Sequence, residues 1–85
     1  MGKSLHSAES KIFKSHLRLL REKAGMTQRD LAKAVGWNHS LIAKIELGDR
    51  RLDVIEFYWL ILALGADPAK EAELLMKSFE NSKDR

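Results

Sequence analysis

Between Thr27 and Leu47 the sequence TQRDLAKAVGWNHSLIAKIEL leaves room for little except two short helices meeting at a tight turn. Thr27 can cap a first helix, its hydroxyl accepting from the free N–H groups of the opening turn. Leu31, Ala32 and Val35 then share one apolar face at i, i+1 and i+4. Gly36 ends the run where the chain must leave a helix through a left-handed conformation. Asn38 can cap the second helix, Leu41, Ile42 and Ile45 give it an apolar side, and Gly48 closes it. His39, Ser40, Ala43 and Lys44 occupy the opposite side, where they can touch something outside the protein.

Two such helices joined by a glycine-containing turn form a helix-turn-helix. The positions extend beyond the pair. Thr27-Gln28, Leu31-Ala32, Val35-Gly36, Ile42, Ile45-Glu46 and Gly48 resemble the signature of the phage repressor/Cro (Xre-like) regulators. Leu17, Leu20-Arg21 and Gly25 upstream, with Arg50, Arg51, Leu52, Asp53 and Leu64-Gly65 downstream, carry the resemblance over roughly residues 10 to 66. It implies an all-α, compact five-helix lambda-repressor-like domain. It also implies a sequence-specific binder of double-stranded DNA, a repressor first, that reads the major groove with its third helix. A structural ion pair between Arg21 and Glu46 is implied in the same way, and a bidentate pair of that kind would fix the angle between two helices.

Gln28 opens the second helix, where an amide and exposed backbone N–H groups suit a phosphate oxygen. Relatives use this glutamine to hold both a phosphate and the first side chain of the next helix. Here that side chain is His39, where many relatives carry glutamine. An imidazole cannot grip adenine bidentately as an amide does, so the family's adenine preference does not transfer. His39, Ser40, Ala43 and Lys44 are the expected base readers. Lys44 suits a guanine edge, and Ala43 or the stem of Leu41 a thymine methyl. Gln28, Arg50 and Arg51 are the expected backbone contacts. Trp37 is read as packing across the turn.

Net charge is +3, which by itself says little about nucleic acid, but its distribution is uneven. Residues 1–51 carry 11 lysines and arginines against 5 acidic residues, and residues 52–85 carry 4 against 7. Positive charge therefore gathers with the helix-turn-helix, where phosphates would lie.

The rest of the chain frames this motif. Residues 1–8 are expected to be a flexible arm, 9–80 the domain with its C-terminal helix, and 81–85 a frayed tail. Ile12, Phe13, Leu17, Leu20 and Ala24 predict a first helix over about 9–24. His6 and His16 lack partners at metal-ligand spacing and read as surface residues. Asp53 can cap a fourth helix ending near Leu64-Gly65, and Asp67-Pro68 starts a fifth. The fourth is apolar nearly all round, so it should be buried on several faces. An 85-residue monomer has little material to cover it. A homodimer through Trp59, Leu62, Leu75, Met76 and Phe79 is the expected solution. Two-fold symmetry would set two third helices ~34 Å apart on a near-palindromic operator.

Other classes fit less well. No catalytic grouping, metal cluster or phosphate loop stands out, so neither an enzyme nor a cofactor or metal site is expected. Gly2-Lys3-Ser4 lacks the upstream glycine of a phosphate-binding loop, and His6 stands where a myristoylation signal would want Ser or Thr. Without cysteine there are no disulfides, which fits the cytoplasm. The longest apolar run, Phe57–Leu64, falls far short of the ~20 residues of a membrane span. The alternatives are an antitoxin or restriction–modification controller on the same fold, and a protein-interaction module without DNA binding.

Overall fold

The computed structural model describes residues 7–82. Five helices follow one another: α1 (Ala8–Lys23), α2 (Gln28–Val35), α3 (His39–Leu47), α4 (Val54–Ala63) and α5 (Pro68–Asn81). Residues 1–6 of the expected arm, with Gly2-Lys3-Ser4 and His6, lie outside the described residues. The last two arm positions belong to the helix, since Ser7 caps α1 and Ala8 opens it. At the other end Asn81 closes α5 and Ser82 caps it.

Each helix begins on a side chain that satisfies orphan N–H groups. Thr27 accepts from Asp30 N, while the Asp30 carboxylate accepts from Thr27 N, a reciprocal capping box. Asn38 accepts from Leu41 N at 3.1 Å. Asp53 and Glu56 form a second capping box at the start of α4. The turn between α2 and α3 is closed by Gly36, at φ +80°, which lets Gly36 N–H reach Lys33 O and Trp37 N–H reach Ala32 O.

The helices pack because each carries one apolar stripe. Leu17 of α1, Leu31 and Ala32 of α2, Ile42 and Ile45 of α3, Leu60 and Ile61 of α4, and Leu64 just past its end make a single core. Ile61 is wholly buried, a contribution of about 1.5–3 kcal/mol. Phe13 and Phe57 extend the core with ring centroids 5.9 Å apart. α5 lies against α1 and α4, and α2 against α3 and α4.

His16 is not a solitary surface residue. Its Nε2 lies 2.7 Å from Glu71 Oε1, both side chains are largely covered, and the contact ties α1 to α5. The partner is 55 residues away in sequence, beyond the reach of any spacing rule.

Candidate nucleic-acid interface

The angle of α3 is set by one buried carboxylate. Glu46 points inward and meets Arg21, whose Nε donates to Oε2 at 2.6 Å and whose Nη2 donates to Oε1 at 3.0 Å. The two side chains are 10% and 7% exposed. Arg21 Nη1 donates in addition to Met26 O at 2.7 Å, holding the α1–α2 turn. The hydrogen bonds to Glu46 raise the Arg21 pKa above its ordinary value. Gln28 supplies the third arm, its Nε2 donating to Glu46 Oε1 at 3.0 Å. Three helices thus converge on one carboxylate. In this state the Gln28 amide turns toward Glu46, and its contact is with that residue rather than with His39.

With Ile42 and Ile45 buried, Leu41 packed against the core and Glu46 engaged, the remaining positions of α3 face outward. His39, Ser40 and Lys44 are exposed and Ala43 is half-buried between them. The Ser40 hydroxyl donates to the Asn38 cap at 2.7 Å, which fixes its rotamer and leaves its oxygen outward as an acceptor. Leu47, 63% exposed, lies on the same side, four residues beyond Ala43 and three beyond Lys44. Sequence reasoning missed it. Leu41, offered above for a thymine methyl, instead packs half-buried against the core, and Leu47 is the apolar side chain of the outward face. The helical period that placed His39, Ala43 and Lys44 could have found it.

The end of α3 is held from outside. Lys14 Nζ donates to Leu47 O at 3.1 Å, a cation at the negative end of the helix. Gly48 follows at φ +86°, and a Cβ there would meet Lys14 Cδ at 3.2 Å.

Of the residues expected at the DNA backbone, Arg50 in the next loop has partners within the chain. Its Nη1 and Nη2 lie 3.1 and 3.0 Å from the two Glu56 oxygens, and it also donates to Arg51 O. This pairing fixes the loop against α4. The pairing with Glu56 raises the Arg50 pKa, and the Arg50 hydrogen bond, then the Asp53 N–H, lower that of Glu56. Arg51 is exposed.

The apolar residues of α4 and α5 divide by packing. Ile55, Tyr58, Trp59 and Leu62 form one outward stripe of α4, each 49–57% exposed. Met76 is exposed and Phe79 half-buried on α5. Leu75 is 3% exposed and belongs to the domain's own core, so it leaves the expected interface. α5 turns it inward, toward the side on which the helix packs against its own chain. Trp37 is half-buried on the core edge and lines a shallow groove with Val35, Trp59 and Leu62.

Among the described residues no His/Asp/Glu group is gathered as metal ligands, and no helix is long and apolar enough to cross a membrane.

Comparison with known proteins places this geometry. A family model described as "Helix-turn-helix domain" matches residues 15–74. No curated protein matches. Among solved structures, a mutant of the restriction-modification controller protein C.Esp1396I is similar at 25% identity and TM-score 0.76, covering 98% of this chain and 100% of that one. An XRE-family like protein from Pseudomonas syringae is similar at 37% identity and TM-score 0.69, over 79% of this chain and 85% of its own. The restriction-modification controller protein C.AhdI from Aeromonas hydrophila is similar at 28% identity and TM-score 0.67, covering 76% and 97%. A family match over most of the chain, joined to the five-helix arrangement around Glu46, settles the class: this chain belongs to the helix-turn-helix family of XRE-type regulators.

Proposed function

We propose that the protein is a transcription regulator that binds double-stranded DNA sequence-specifically as a homodimer, with α3 in the major groove. The observation that carries this reading is the outward side of α3. Its side chains, His39, Ser40, Ala43, Lys44 and Leu47, are presented at an angle fixed by the Arg21–Glu46–Gln28 hub. Lys44 suits a guanine edge, Leu47 and Ala43 thymine methyls, and His39 a single hydrogen bond. Arg51 and Gln28 would hold phosphates; for Gln28 this uses the second N–H of its amide, since the first is on Glu46. The work is done beside the chromosome, in the cytoplasm.

The exposed stripe of α4 supports the dimer. Ile55, Tyr58, Trp59 and Leu62, with Met76 and the edge of Phe79, offer the aromatic and aliphatic anchors that an interface core favours. Two α3 helices would then sit ~34 Å apart on a near-palindromic site. Control of a restriction–modification system is the narrower reading, favoured by the match to C.Esp1396I over the full length of that chain.

Selection from a random duplex library followed by fluorescence anisotropy tests the proposal. A dimer neutralising ~6–10 phosphates should lose about 10³–10⁵ in affinity between ~50 and ~200 mM salt. Affinity for the selected site no greater than for random duplex at any salt would defeat it.

A further inference from the structure

We propose that the hollow between the first turns of α1, the loop after α3 and the end of α5 binds a small amphiphilic carboxylate, and that this ligand weakens the hold on DNA. The cavity measures about 350 Å³, within the ~300–1,000 Å³ of small-molecule sites. Phe13, Leu52 and Phe79 form its apolar wall, and Lys14 stands at its margin beside the Arg50–Glu56 pair, with Arg51 and Glu9 also lining it. A lysine ammonium held only by a neutral carbonyl beside an aromatic wall favours an anion with an apolar body over a cation or a neutral polar molecule.

Lys14 is the group that recognises the ligand. Arg50 is neutralised by Glu56, whereas the Lys14 ammonium donates to the neutral carbonyl of Leu47. A carboxylate is the better acceptor, since charge-assisted hydrogen bonds are roughly twice as strong as neutral ones. An entering carboxylate draws Nζ away from Leu47 O. The end of α3 then loses its external cap, and the loop bearing Arg51 loses its neighbour. The ligand site is thereby linked to the DNA-facing helix through one side chain. The second half of the proposal rests on the DNA-binding reading above. The first half does not.

Octanoate is the probe. Titrated into the full chain without DNA, it should saturate and shift the amide signals of Phe13, Lys14, Leu52 and Phe79 in NMR spectra. Octanol and octylamine should bind roughly tenfold more weakly or worse, and Lys14→Met should lose a similar factor while Lys14→Arg retains binding. Added to a complex with a selected duplex, octanoate should lower DNA affinity by about 5–150-fold, and the duplex should lower octanoate affinity by the same factor. Equal binding of octanol, an unchanged Lys14→Met, or shifts confined to the α4 stripe would remove the site. Octanoate bound at the cavity with unchanged DNA affinity would overturn the coupling. A chain that binds octanoate but no selected duplex would refute the DNA-binding reading and leave the ligand site standing.

Discussion

Gln28 Nε2 lies 3.0 Å from Glu46 Oε1, the same oxygen that Arg21 Nη2 reaches at 3.0 Å. The end of α1 and the start of α2 therefore share one acceptor on the inward side of α3, which ties the three helices together. A phosphate held at Gln28 would be registered against α3 through that oxygen.

Removing the acceptor should be costly. Glu46→Ala leaves the Arg21 guanidinium buried with only Met26 O, and should destabilise the domain by about 3–5 kcal/mol. Gln28→Ala removes a hydrogen bond to a charged group and should cost less, about 1.5–3 kcal/mol. Urea denaturation of the two single variants and the double variant measures this. Purely additive losses would show that Gln28 and Glu46 do not act as a unit.

Base reading and phosphate holding should separate by their signatures. Lys44→Ala should cost about 1–3 kcal/mol and relax preference at one base pair, and Leu47→Ala should relax a different position. Arg51→Ala should weaken all sites alike and flatten the salt slope by about one unit. An unchanged ranking of variant operators with Lys44→Ala would take Lys44 out of base recognition.

The order of the helices could be read from the sequence because the signals are local. Thr27, Asn38, Asp53 and Asp67 cap helices within their own turns, and Gly36 and Gly48 stop them at positive φ. The outward side of α3 followed from helical period, although Leu47 escaped because it is the last residue before the stop. What stayed hidden depends on partners distant in sequence. His16 meets Glu71 across 55 positions, and only packing turns Leu75 inward while leaving Trp59 outside. The pairing of Arg50 with Glu56 was not legible either, because it is made across a loop whose path is set by the fold.

Self-association should depend on the α4 stripe. Sedimentation equilibrium should give a dimer for the wild type at tens of micromolar, and a folded monomer for Trp59→Glu/Leu62→Glu. Both side chains are about half exposed in the single chain, so the charges should cost the monomer little. A double variant that still dimerises would move the interface elsewhere.

Acid should loosen the loop after α3. The Arg50 hydrogen bond holds the Glu56 pKa below its ordinary value, so the folded state favours the ionised carboxyl. Its stabilisation is present above the ordinary carboxylate range, near ~4.3, and is lost as the pH falls through the depressed folded value. Glu56→Gln should therefore show a shallower loss of stability on acidification than the wild type. Parallel curves from urea midpoints at neutral and acid pH would refute the role. Asp30, held low by the Thr27 backbone N–H, should behave in the same sense.

The Glu46 hub divides the labour along a single nine-residue helix. Ile42, Ile45 and Glu46 fix its pose, whereas His39, Ser40, Ala43, Lys44 and Leu47 touch the core little or not at all. The outward five can be exchanged without altering the angle at which they are offered. On the DNA-binding reading proposed above, a lineage carrying this domain acquires a new operator by substitution on one side of α3 while the scaffold stays silent, and an engineer can recode it by the same route.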